Sequence, residues 1–195
     1  MQEQKGARPF QKRRNVKKRS VLLWQSSGFL VASLGGVLLH FLYEWTSFSP
    51  LVAPFSGVNE STFEHMKLLF WPTLLFALLQ SLFWGKRKDF LWVKFRGILL
   101  GICLIPLLFY LYNGAVSPSP DWLNITFFFL SAAGGYLYET KRFLSKEQTA
   151  PNRNLVLAAL VLLALLFALL TFYPPSLGLF RDPQTGGYGI PPSPL

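Results

Sequence analysis

Two histidines and a few carboxylates carry most of the chemistry open to this sequence. Histidine occurs only at positions 40 and 65. His40 is followed four residues later by Glu44, and His65 stands inside the run NESTFEHMK, from Asn59 to Lys67. Imidazole nitrogen and carboxylate oxygen are ligands for divalent ions. His40, Glu44 and His65 are therefore candidate ligands for a divalent metal such as zinc. Glu60 and Glu64 are the candidate proton acceptors for a metal-activated water. Asn59, Lys67 and, from the C-terminal tail, Asp182 complete the candidate site.

Much of the same run also has a structural reading. Ser61-x-x-Glu64 is a capping-box pattern at a helix start, Asn59 is a competing N-cap, and Lys67 can pair with Glu64 three residues away. No zincin motif, cysteine ligand or tandem Glu-x-x-His pair accompanies the cluster. Two classes of function fit: a metal- or ligand-binding protein of hydrolytic type, and a non-catalytic membrane scaffold or partner subunit in which the cluster clamps two helices together.

The elements that must position these residues are helices made for lipid. The chain has 195 residues, of which 51% are hydrophobic, 16% aromatic and only 14% charged, too apolar for an ordinary water-soluble surface. The apolar residues gather into five runs, roughly 21–43, 68–84, 97–112, 122–138 and 155–173. Such runs match a hydrocarbon core ~30 Å thick crossed by helices rising ~1.5 Å per residue. The expected fold is an all-α polytopic membrane bundle with five transmembrane helices. Small residues at helical spacing (Gly28, Ala32, Gly36; Gly97, Gly101; Ser131, Gly135) predict close backbone approach within it. Pro72 and Pro106 should kink the second and third spans.

Charge sets the orientation. Of the 19 Lys and Arg residues, all but Lys67 and Arg181 lie before the first span, beside or between the second and third, or between the fourth and fifth. The positive-inside rule then places the N-terminus in the cytoplasm and the C-terminus outside. Residues 1–20 form a polybasic cytoplasmic tail, 21–173 the transmembrane domain and 174–195 an extracytoplasmic Pro/Gly-rich tail. The basic N-terminal tail suits anionic lipid at the bilayer surface, and no nucleic-acid partner is expected. The lone Cys103 forms no disulfide or thiol pair and reads as a small packing residue.

This topology brings His40 and Glu44, stacked on one side of helix one, to the same outer surface as Glu60, Glu64 and His65. Glu60 and Glu64 share a helix face if the second helix begins by Glu60. In the outer tail, Phe180 and Tyr188 flank the turn-forming TGGYG. The tail is expected to fold back over the bundle, with Asp182 or Arg181 touching the Asn59–His65 run and Tyr188 packing at the membrane interface.

The segments HFLYEW, SGVNESTFEHMKLLFWP and LFRDPQTGGYGI together resemble a family of small bacterial integral membrane proteins known only as a domain of unknown function. The shared pattern is N-E-S-x-aromatic-E-H-x-K-L-x-F-x-P, met here at Asn59, Glu60, Ser61, Phe63, Glu64, His65, Lys67, Leu68, Phe70 and Pro72. The resemblance implies a multi-pass fold in a bacterial plasma membrane and no established activity.

Overall fold

A computed structural model describes residues 7–116, 119–147 and 149–191, with side chains from Lys18 onward except that of Asp121. The basic side chains of Lys5, Arg8, Lys12, Arg13, Arg14 and Lys17 lie outside the described set. Among the described residues the chain forms five α-helices: α1 (Ala7–Trp45), α2 (Thr62–Trp84), α3 (Phe90–Ala115), α4 (Asp121–Leu144) and α5 (Arg153–Phe172). No strand occurs among the described residues. Four of the helices (α1 from Lys18, α2, α3 and α5) are long and apolar enough to cross a membrane. The fourth expected span, α4, has the length, but Asn124, Thr126, Ser131 and Glu139 lower its hydropathy.

α1 to α4 form a four-helix, up-down-up-down bundle, and α5 lies against α3 and α2. Small residues set the register. A Cβ on Gly28 would fall on Phe76 of α2 and Tyr136 of α4, and one on Gly36 would fall on Phe128 of α4 beside the Leu68 carbonyl. Between α3 and α4, Gly97 lies against Glu139 and Gly135, and Gly101 against the Ser131 carbonyl. Both prolines sit inside continuous helices, and Pro72 fills the space beside Gly35.

Two apolar clusters lie on either side of a buried polar layer. Toward the end that joins α2 to α3 (the lower end), Val21, Phe90, Val93 and Phe143 pack together. In the middle of the bundle, Ala32, Leu68, Leu69, Ile105, Phe128, Ala132 and Tyr136 form the core. Between them, Lys94 Nζ donates to Glu139 Oε2 at 2.6 Å, with both side chains at most 1% exposed. The register of α1 against α2 and α4 puts Gln25 and Gln80 at this level. Both are buried, and their carboxamides find no hydrogen-bond partner among the described residues.

The other, upper end carries the 46–61 connection and the tail. Here Phe63, Phe70 and Phe167 join α2 to α5, and a 3-10 turn of the tail, Gly178–Phe180, adds Phe180 to this cluster. The tail is thus folded, and Arg181 and Tyr188 form an isolated antiparallel bridge around its turn.

Candidate functional site

The upper site is assembled from α1, the connection after it, and the first turn of α2. α2 begins at Thr62, later than the spacing of Glu60 and Glu64 suggests. Ser61 is its N-cap, accepting from the Glu64 backbone N–H at 3.4 Å, while Asn59 Oδ1 accepts from the Ser61 N–H at 2.8 Å. Glu60 is therefore a loop residue, and it does not share a helix face with Glu64. Nor is the capping box reciprocal. Glu64 turns its carboxylate to the Val58 N–H, at 3.1 Å, and to Lys67 Nζ, at 2.5 Å.

Lys67 is fully buried, which for an ammonium requires compensation on several sides. It receives this from Glu64, from the Ala53 carbonyl at 2.8 Å and from Thr171 Oγ1 at 2.9 Å. One side chain thereby ties α2 to the connection and to the end of α5. Trp71 adds a second tie, donating from Nε1 to the Pro54 carbonyl at 2.9 Å.

The connection is also wedged into α1. Ser56 Oγ accepts from the Tyr43 N–H at 2.8 Å and donates to the Leu39 carbonyl. Those two groups are the pair that an α-helix joins to each other. Gly57 N–H also reaches the Leu39 carbonyl, at 3.2 Å. The insertion lies one residue from His40 and fixes the helix backbone where that imidazole leaves it. Nothing in the spacing of Ser56 announces this role; the only sign is its place in a Pro/Ser-rich loop.

With these anchors set, His40, Glu60 and His65 converge. Their ligand-type atoms all lie within 4.8 Å of one another. His40 Nε2 is 3.4 Å from Glu60 Oε1, and His65 Nε2 is 3.7 Å from Glu60 Oε2. The imidazole centroids are 6.0 Å apart. His65 Nδ1 lies 3.0 Å from the Ser61 carbonyl. A carbonyl only accepts, so Nδ1 carries the hydrogen and Nε2 is the nitrogen turned to the carboxylate. In a neutral imidazole that nitrogen is a lone pair facing a second acceptor. The arrangement calls for a cation between them or a second proton on the ring, and backbone orientation of the distal nitrogen is what metal-ligating histidines commonly show.

Glu44 does not join this group: it is exposed on α1, and Glu60 supplies the carboxylate instead. Glu64 and Lys67 belong to the buried tie beneath. Asn59 faces the tail, where its Nδ2 donates to the Gly189 carbonyl at 2.8 Å. Asp182, expected to touch the cluster, is buried within the tail's own turn, accepting from the Gln184 N–H at 2.9 Å and from Thr185 Oγ1 at 2.7 Å. Arg181 likewise turns to the tail, its Nε 3.4 Å from the Gly186 carbonyl, and Tyr188 is exposed. The tail does fold back, but through Asn59–Gly189, through Phe180 on Phe63 (ring centroids 4.6 Å apart) and through Ile190 against Tyr43, Ala53 and Val58.

His40, Glu60 and His65 line one wall of a cavity of about 530 Å³. The opposite wall carries Asn113, Ser119 and Asn124, linked by hydrogen bonds from Ser119 N–H to Asn113 Oδ1 (2.6 Å) and from Ser119 Oγ to Asn124 Oδ1 (2.6 Å). Pro183 and Gln184 of the tail border the cavity too.

No curated protein and no solved structure matches the chain. A family model does, over residues 12–190, nearly the whole length. The chain belongs to the family of unknown function DUF6512.

Proposed function

We propose that this is a five-pass membrane protein whose extracytoplasmic face binds a divalent cation of the zinc class through His40, Glu60 and His65. The convergence of three ligand-type atoms within 4.8 Å carries the reading. Two imidazoles and a carboxylate make a three-ligand set, and three protein ligands with a further position open to a water or a ligand is the pattern of reactive rather than structural zinc sites. The 530 Å³ cavity beside the cluster supplies that open side. A bound cation would also give the His65 Nε2 lone pair and the Glu60 carboxylate a shared partner. Hydrolysis assisted by a metal-bound water is the reaction class such a set supports.

Five passes are supported by the pairing of α4 with α3. Glu139 meets Lys94, and Gly135 meets Gly97, so α4 runs at the depth of its apolar neighbour. With Lys and Arg concentrated at the lower end and in the N-terminal tail, that end faces a cytoplasm, and a bacterial plasma membrane accommodates this orientation. The N-terminal tail then lies against anionic lipid.

A second reading rests on the same convergence of the three side chains. Protonated His65 and His40 can clamp Glu60 without any metal, making the cluster a helix-to-helix fastening. Elemental analysis of full-length protein purified without chelator separates the two. The expected result is about one equivalent of metal per chain, lost in a His40→Ala/His65→Ala variant that keeps the wild-type helix content by circular dichroism. Metal-free wild-type protein, or metal kept by the double variant, would overturn the metal site and leave the clamp.

A further inference from the structure

The cavity beside the cluster has a floor, a roof and an open front, and the chemistry of the front indicates what enters. Phe128, seated on Gly36, closes it toward the middle of the bundle. Pro183 and Gln184 border it at the tail. Behind it stand His65 and Leu68 of α2, and to one side Phe109 of α3. Its front lies between α1 and α4, where Val37, Phe41 and Ile125 all line the cavity and are all exposed, at 42%, 42% and 55%. Val37 and Phe41 belong to a helix that is long and apolar enough to cross a membrane. An opening framed by exposed apolar side chains at that depth faces acyl chains, not water.

Inside, polarity is concentrated at two poles. One is the His40–Glu60–His65 triad, and the other is the Asn113–Ser119–Asn124 group across the cavity. Leu68, Phe109, Phe128 and Phe129 supply the apolar surface below and between. A small water-soluble substrate would use the poles and leave the apolar walls and the lateral opening without purpose. A hydrocarbon alone would strand the polar groups.

We infer that the cavity takes a membrane-resident amphiphile through the α1/α4 opening, an anionic phosphate-bearing head group lying between the two polar poles and its chain passing out between Val37, Phe41 and Ile125. The sign of the head group rests on the divalent-cation reading above. A dication offset by the single Glu60 carboxylate leaves net positive charge at that pole, and Glu64 is already matched by Lys67. On the far wall Asn113 spends its Nδ2 on the Phe109 carbonyl and Ser119 Oγ and Ser119 Oγ donates to Asn124 Oδ1, so the Asn124 Nδ2 is the donor offered there to a phosphate or ester oxygen.

The test is native mass spectrometry of the full-length, zinc-loaded protein in a non-ionic detergent, titrated with dioleoyl phosphatidic acid and, separately, with glycerol 3-phosphate, whose phosphate ester head lacks the chains. The expected result is one phosphatidic acid retained per chain and no retention of glycerol 3-phosphate at the same concentration. Ile125→Trp, at a side chain that is 55% exposed, should occupy the opening and lower lipid retention about tenfold, equivalent to ~1.4 kcal/mol. Its zinc content and melting temperature should stay at wild-type values. Leu165→Trp, on the exposed face of α5, should retain lipid as the wild type does. Zinc bound with no lipid retained, lipid unaffected by Ile125→Trp, or glycerol 3-phosphate bound as well as the lipid, would each overturn the lateral-entry inference. Absence of zinc from the wild type would instead overturn the metal reading on which the head-group assignment stands.

Discussion

Glu139→Gln tests the buried polar layer most directly. The Lys94 and Glu139 side chains are 0% and 1% exposed and 2.6 Å apart, beneath the rings of Phe76 and Tyr136. The amide keeps the volume and still accepts a hydrogen bond from the ammonium, but it removes the counter-charge. Removing one partner of a buried pair costs about 3–5 kcal/mol, and the retained acceptor places this variant near ~3 kcal/mol. At about 2–4 °C per kcal/mol for a chain of this size, the melting temperature should fall by roughly 6–12 °C. Lys94→Met/Glu139→Gln, which leaves neither charge, should melt above Glu139→Gln alone. Gly97→Ala adds an independent check, because its methyl would be driven into the Glu139 carboxylate, which Lys94 holds still. Its cost should shrink in a Glu139→Ala background, a non-additivity expected of residues in direct contact. Intrinsic tryptophan fluorescence during thermal unfolding in one fixed detergent reads all of these. A Glu139→Gln variant melting within about 2 °C of wild type, or a double variant melting below it, would refute the ion pair as a structural element.

Three further outcomes follow from the upper end. Phe180→Ala should destabilise the protein by about 3–5 kcal/mol, because this side chain is 6% exposed against Phe63 and Phe167; truncation after Tyr173 should do the same, and an unchanged melting curve would show the tail to be dispensable. Thr171→Val should cost about 1–3 kcal/mol by depriving buried Lys67 of one acceptor, measured by the same unfolding assay, and a neutral result would remove Thr171 from the tie. On a Cys103→Ala background, Leu51→Cys should react with an impermeant thiol reagent in whole cells and Lys146→Cys should not, both sites being exposed; reversed labelling would put the His–Glu cluster in the cytoplasm.

The sequence carries the helices more plainly than it carries the site. Long charge-free runs such as 155–170 have one physical solution in lipid, and the small residues at four-residue spacing mark where helices touch: Gly36 meets Phe128, and Gly97 meets Glu139. α4 is harder to read because its polar residues are spent inward, on Lys94 and on the upper cavity, so that burial within the bundle and poor hydropathy go together. His40 and His65 could be matched from topology, since helices one and two must meet at the connection between them. Which carboxylate would join them could not. Spacing on an ideal helix favours Glu44, one turn beyond His40, yet the Asn59–Ser61 cap starts α2 late enough to leave Glu60 in the loop and free to reach both rings. Spacing was equally silent on the tail, whose contacts with the cluster run through a backbone carbonyl and a phenylalanine rather than through its charges.

The NESTFEHMK run therefore divides its work between two depths. Glu64 and Lys67 face inward, where neither is available to a substrate, and their buried pairing with Ala53, Val58 and Thr171 holds the connection, α2 and α5 as one body. Glu60 and His65 face the cavity from the same short segment, and His40 meets them from a helix that Ser56 has wedged at that level. A binding group held to within a few tenths of an ångström requires such a second layer, because loop residues on their own are mobile. Glu60 is the loop member of the triad, so its position depends most on that layer. On the metal reading proposed above, loosening the layer, as in Thr171→Val, should therefore weaken metal retention at His40–Glu60–His65 although Thr171 touches none of the three. If that variant kept wild-type metal affinity while losing stability, the buried tie would serve the fold alone, and the triad would owe its geometry to the Asn59–Ser61 cap.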